Sequence, residues 1–259
     1  MKTLNTLFFL CCLAVSAFAQ SPQAVEADLL KSFKKIEYWH QKQDNGDDAA
    51  SDALGDANDE FGNKLKNYAE SYPASITQPF ASLKKEHLDM LTSVDGLFRI
   101  YSWDTWQGGT MRDFSNVLQY KIGTKTKSVL LTGSQETYIP FYTNLYTFKA
   151  GSKTYYLAVY GTIYSTKDAG TGIKVFDIEN GKLNDDVEII KTGSGLKSKI
   201  YYDYDFFSVV DIAFEKRPTI TFDQATQIIH IPLVEAKGKV TKKLINYKFN
   251  GQYFEKIKS

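Results

Sequence analysis

Residues 244–257 read LINYKFNGQYFEKI, and the fold class follows from this stretch. Apolar and polar residues alternate on either side of Asn250-Gly251, with Ile245, Tyr247 and Phe249 before it and Phe254 after it. Period-two alternation marks a half-buried strand, and Asn-Gly between two such runs predicts a two-residue type I′ hairpin turn. That register sets Phe249 opposite Gln252, Tyr247 opposite Phe254 and Ile245 opposite Lys256. Ile245, Tyr247, Phe249 and Phe254 then share a core face, with Asn246, Lys248 and Glu255 mostly on the other. Further back, Asn180-Gly181 repeats the device. It places Ile178 opposite Leu183 toward a core and Glu179 opposite Lys182 as an ion pair worth less than about 1 kcal/mol. Ala150-Gly151 and Asp223 to Thr226 read as further hairpin turns. From Leu97 onward, aromatic and β-branched runs cut by turns give about ten strands joined by short loops. The expected body is antiparallel and hairpin-rich, as a sandwich, a barrel or a partial propeller.

Ahead of Leu97 the period changes. Val25, Leu29, Phe33 and Ile36 recur at helical spacing after a Ser21-Pro22 start, and Asp44-Asn45-Gly46 breaks the pattern. Leu54, Phe61, Leu65 and Tyr68 continue a helical stripe to Tyr72-Pro73, weakened by Gly55 and Gly62. A third helix is expected after Pro79, with Phe80, Leu83, Leu88 and Leu91 as its apolar positions, ending before Asp95-Gly96. The fold class is therefore α+β. Residues 20–92 form a helical region and residues 93–259 an antiparallel β domain.

The first nineteen residues read as a secretory signal peptide. Lys2 gives a positive start, Leu7 to Val15 a short apolar run, and Ala17-Phe18-Ala19 a cleavage site before Gln20. The expected location is periplasmic or extracellular. Both cysteines, Cys11 and Cys12, lie inside this segment, so the mature chain carries no thiol, disulfide or Cys metal ligand. They follow Phe8-Phe9-Leu10 without a small residue, which argues against an acylated N-terminal cysteine. No later run is long and apolar enough for a membrane span. Residues 20–92 hold 8 Lys and Arg against 13 Asp and Glu, and residues 93–259 hold 22 against 17. A surplus of five spread over the second segment is too thin to argue for a nucleic-acid partner. It suits an acidic helical layer docked on a mildly basic body.

Phe98 to Met111, FRIYSWDTWQGGTM, is the most distinctive run for function. Alternation puts Phe98, Ile100, Ser102 and Asp104 on one face and Arg99, Tyr101 and Trp103 on the other, before Gly108-Gly109 turns the chain. If a recognition site exists, it is expected on this hairpin. Tyr101, Trp103 and Trp106 would form a flat stacking surface, and Asp104 and Arg112 the polar contacts. Aromatic faces beside carboxylates suit sugar rings. The competing reading is a packed hairpin whose Asp104 satisfies turn amides. This run, Tyr160 to Asp186 and Tyr247 to Lys256 together resemble uncharacterised exported proteins of Gram-negative bacteria. The resemblance spans most of residues 95–259. It implies an address and a fold, and no activity or catalytic residue.

Catalytic signatures are missing from the sequence. No two of His40, His87 and His230 lie within helical metal-binding spacing, no Gly-x-Ser-x-Gly elbow occurs, and no glycine loop joins a strand to a helix in the manner of a phosphate site. Asp203 and Asp205 in YYDYDFF offer too few oxygens for a hard cation. No metal and no cofactor is expected. The leading expectation is a non-catalytic binding or accessory module of the cell envelope, with a glycan or an envelope protein as partner. The alternatives are a carboxylate-based envelope or glycoside hydrolase and a structural or inhibitor protein.

Overall fold

The computed structural model describes residues 21–133 and 138–258, so the expected signal peptide lies outside the described residues. Helices come first: α1 (Pro22–Asp44), α2 (Ala50–Ser71) and a short α3 (Ala81–Lys85). Ser21 Oγ caps α1 by accepting from the Ala24 amide at 3.1 Å, and Pro22 opens the first turn. The first sheet is the meander β1 (Asp89–Thr92), β2 (Phe98–Asp104), β3 (Phe114–Ile122) and β4 (Lys125–Leu131). Next come β5 (Phe141–Ala150), β6 (Lys153–Ile163), β7 (Asp168–Glu179), β8 (Lys182–Asn184), β9 (Ile190–Thr192), β10 (Gly195–Lys197) and β11 (Lys199–Asp205). The chain closes with β12 (Thr221–Asp223), β13 (Ile228–Glu235), β14 (Lys239–Phe249) and β15 (Phe254–Ile257). A second sheet runs β11-β7-β6-β5 with β8 beside β7, and a third runs β10-β9-β15-β14-β13-β12. One pairing departs from the expected antiparallel pattern: β15 and β9 run parallel.

These elements stack as four layers with three separate cores. Val25, Leu29, Leu54, Phe61 and Leu65 of the helices meet Tyr101, Trp103 and Val117 of the first sheet. The other face of that sheet offers Phe98, Ile100 and Leu118 to Tyr142, Tyr156 and Phe176 of the second. The second sheet's far face offers Leu157, Val159, Ile173 and Val175 to Ile229, Ile231 and Phe254 of the third. The strand faces expected for Phe98 to Trp103 hold, and both of those faces are dry. Gly62 sits where α2 presses on the sheet: a Cβ there would lie 3.2 Å from Leu130 Cδ1 and 3.4 Å from Trp103. Buried polar groups bolt the helical layer down. Gln119 Nε2 donates to the Ala69 carbonyl and to Ser75 Oγ, both at 2.7 Å, while Arg99 Nη1 donates to the Ser75 and Gln78 carbonyls at 2.8 and 2.6 Å.

Three expectations need correction. The third helix stops at Lys85. His87 takes a left-handed φ of +68°, and Asp89–Thr92 then pair with β2. Met90 packs on the helical core and Leu91 on the next core, a period of two that wins because pairing satisfies the backbone of β2. At Asn250 the turn is longer than two residues. Phe249 pairs with Phe254 across a four-residue loop, in which Asn250 Oδ1 accepts from the Gln252 and Tyr253 amides at 3.0 and 3.1 Å. The slip is by two residues, so parity is kept, and Tyr247, Phe249 and Phe254 are all buried as expected. At Asn180-Gly181 the two-residue turn forms, with φ of +51° and +73°, but the Glu179 carboxylate bonds Lys153 Nζ at 3.2 Å and not Lys182.

Candidate functional site

The β2–β3 connection is built by local hydrogen bonds and held by α2. The Thr105 amide donates to the Asp113 carbonyl at 3.0 Å, closing the hairpin neck. Asn58, buried on α2, donates from Nδ2 to the Thr105 carbonyl at 2.9 Å and accepts from Trp103 Nε1 at 3.0 Å. At the tip, a Cβ on Gly108 would sit 1.7 Å from the Met111 carbonyl oxygen, so only glycine fits. The Arg112 amide reaches the Ile163 carbonyl at 3.2 Å, tying the loop to the second sheet.

The five expected site residues separate into two groups. Tyr101 and Trp103 are core and form no binding surface, because the face that alternation assigned them is covered by helices. Trp103 is 2 % exposed and meets Phe61 edge-on at 5.0 Å. The Tyr101 hydroxyl lies 3.1 Å from Gln119 Oε1 and 3.3 Å from the Ser75 carbonyl, and burial pushes its pKa up to about 12. Asp104, Trp106 and Arg112 come together at the surface. Asp104 Oδ1 accepts from the Trp106 amide at 2.9 Å, as the packed-hairpin reading expects, and Asp104 Oδ2 bonds Arg112 Nη1. The Arg112 guanidinium lies 4.6 Å over the Trp106 ring, which is 39 % exposed. Burial raises the nearby Asp113 carboxyl above the ordinary carboxylate range; the Phe114 amide opposes this and the Asp104 charge adds to it.

The partner that sequence reasoning missed is the C-terminal end of α1. His40 stacks on Trp106 at 4.3 Å between ring centroids with planes 11° apart, and its Nε2 lies 3.5 Å from Asp44 Oδ2. His87, brought in by the turn after α3, lines the same cleft with Glu37 and Glu86. This space holds about 430 Å³, within the ~300–1,000 Å³ of small-molecule sites. A second lobe of about 470 Å³, lined by Gln43, Gln107, Gly109 and Arg112, shares His40, Asp44, Asp104 and Trp106 with it. Spacing gave no hint that His40 and His87 converge, since different elements carry them. One conformational signal accompanies the site. Trp106 and His87 take left-handed φ, +60° and +68°, as do four other non-glycine residues among the described ones, a geometry costing a non-glycine residue about 1–2 kcal/mol.

Chemically, the cleft offers an indole face, two imidazoles, and planar carboxylates, amides and a guanidinium able to form paired hydrogen bonds. Among the described residues, no group of three or more His, Asp or Glu side chains is arranged to hold a metal ion. No family model matches the chain, and no curated protein or solved structure is significantly similar to it.

Proposed function

We propose that this protein is a non-catalytic, exported binding module that takes a glycan in the cleft between α1 and the β2–β3 loop. The observation that carries this is Trp106, a large aromatic held at the cleft in a left-handed backbone, stacked on His40 and bracketed by the Asp104–Arg112 pair. Packing does not require it there, because the fold's own tryptophan contact to α2 is made by Trp103. A sugar ring stacks its C–H face on indole, and vicinal hydroxyls match the paired oxygens and N–H groups of Asp44, Gln107 and Arg112. Asp104 is engaged by Arg112 and Glu86 by Lys34 at 3.0 Å, an arrangement suited to hydrogen bonding without proton transfer. The signal-like first nineteen residues support the exported part of the reading.

The test is a glycan array with the mature chain, followed by calorimetry on any hit with wild type, Trp106→Ala and Arg112→Ala. Binding that both variants lose while thermal stability holds supports the proposal. Binding that survives both, hydrolysis of the bound glycan, or no glycan bound overturns it.

A further inference from the structure

A second groove lies far along the chain from the cleft. The segment between β11 and β12 folds over the second sheet and encloses about 420 Å³ with it. Tyr146 of β5, Thr171 of β7 and Tyr204 of β11 come from the sheet, and Phe206, Phe214 and Arg217 from the covering segment. Tyr146 also packs on the core between the second and third sheets, its ring 5.8 Å from Phe222, so the groove continues an apolar interior. The covering segment is unusually apolar for an exposed connection. Phe207 is 60 % exposed and Phe214 65 %, with Val210 also exposed. Isolated apolar side chains on a surface are ordinary, but several on one loop beside an apolar groove mark a binding surface.

Arg217 supplies the polar element. Its Nε donates to the Ile212 carbonyl at 3.0 Å, and its guanidinium lies 5.0 Å over Phe206 and 5.8 Å over Phe214. Among the described residues no carboxylate forms an ion pair with it; Glu215, which also lines the groove, is exposed to solvent and leaves the guanidinium unpaired. A permanently charged fork set among aromatic rings and anchored through Nε is aimed at an anion from outside the chain.

We propose that this groove binds a single-chain carboxylate amphiphile of the fatty-acid class, its carboxylate on Arg217 and its chain against Tyr146, Tyr204, Phe206 and Phe214. Charge complementarity selects the head group, and the apolar walls select the chain. The site is separate from the glycan cleft, so Trp106→Ala, whatever it does to glycan binding, should bind the amphiphile as wild type does.

Dodecanoate and 1-dodecanol, both below the concentrations at which they aggregate, are titrated into the full mature chain by calorimetry. Wild type is expected to prefer dodecanoate. Arg217→Gln is expected to lose about tenfold or more for dodecanoate, the scale of a charge-assisted hydrogen bond, with dodecanol affinity unchanged. Because Arg217 also orders its own segment, Thr171→Phe provides a second probe, filling the groove from the sheet side with Arg217 intact, and should abolish binding of both. No dodecanoate binding by wild type, equal wild-type affinity for the two ligands, undiminished dodecanoate affinity in Arg217→Gln, or binding of either ligand retained in Thr171→Phe overturns the proposal.

Discussion

Trp103 and Trp106 are three residues apart, and their replacement should have opposite consequences. Trp103→Ala removes a side chain that is 2 % exposed, makes an edge contact to Phe61 and donates to Asn58. Truncating a buried aromatic costs about 3–5 kcal/mol, and orphaning the buried Asn58 oxygen adds about 1–3 kcal/mol. The sum is comparable with the whole stability of many domains, about 5–15 kcal/mol. Trp103→Phe keeps most of the volume and isolates the hydrogen-bond part, so it should cost about 1–3 kcal/mol. Trp106→Gly removes the His40 stack and the Arg112 contact, together about 1–2 kcal/mol. It also relieves a left-handed φ worth about 1–2 kcal/mol, against a glycine entropy cost of about 0.5–1 kcal/mol. Its net effect should stay within about 1 kcal/mol of wild type.

Urea unfolding followed by far-UV circular dichroism is the right assay, since each change removes one of only three tryptophans and would confound fluorescence. Trp103→Ala should lower the midpoint severely or fail to fold, while Trp106→Gly unfolds near wild type. Unfolding free energies for the two variants within about 1.5 kcal/mol of each other, at equal slope, would refute the division into core and cleft tryptophans.

Two further outcomes follow from buried groups. Asp177 of β7 is 5 % exposed with Oδ1 unpartnered, and burial raises its carboxyl above the ordinary carboxylate value of 3.8. A raised folded pKa means stability is fully present below the unfolded value and is lost as pH rises through the folded one. Asp177→Asn should therefore match wild type near pH 3 and be more stable at pH 7, read from thermal melts across that range. A gap that shrinks as pH rises would show that the carboxylate is compensated. Deleting residues 20–92 should leave the remainder unable to fold cooperatively, because it strips cover from Tyr101, Trp103 and Val117 and removes β1. A soluble product with a sharp melt would mean that the helical layer is dispensable.

Much of the fold was legible because local chemistry and burial agree. Asn180-Gly181 formed the expected turn, and the parity of Tyr247, Phe249 and Phe254 survived a register slip that turn residues alone could not foresee. The helical stripe of Val25, Leu29 and Ile36 is buried as its period implies. What was hidden is long-range. Nothing local separates Trp103 from Trp106: each is a tryptophan in one aromatic run, and α2 decides that the first is core. Gly108 announces a turn, but only the Met111 carbonyl pressed against it explains why no other residue fits. The third helix forms but ends early at Lys85, because Leu91 fits a helical stripe as well as it fits a strand, and pairing with β2 decided for the strand.

The layer order explains why the cleft sits where it does. The first and second sheets are covered on both faces, so neither offers a broad open face for recognition. Surface must instead come from the rims, where loops emerge from rigid elements. At one rim the end of α1, the turn after α3 and the β2–β3 loop meet, and each contributes a side chain that packing does not consume: His40, His87 and Trp106. Their supports are internal. Asn58 fixes the neck of the loop from beneath, and Arg112 couples it to the second sheet through Ile163. A change at Asn58 should therefore disturb the cleft without touching any bound ligand, because the residue that holds Trp103 in the core also sets the position from which the chain reaches Trp106.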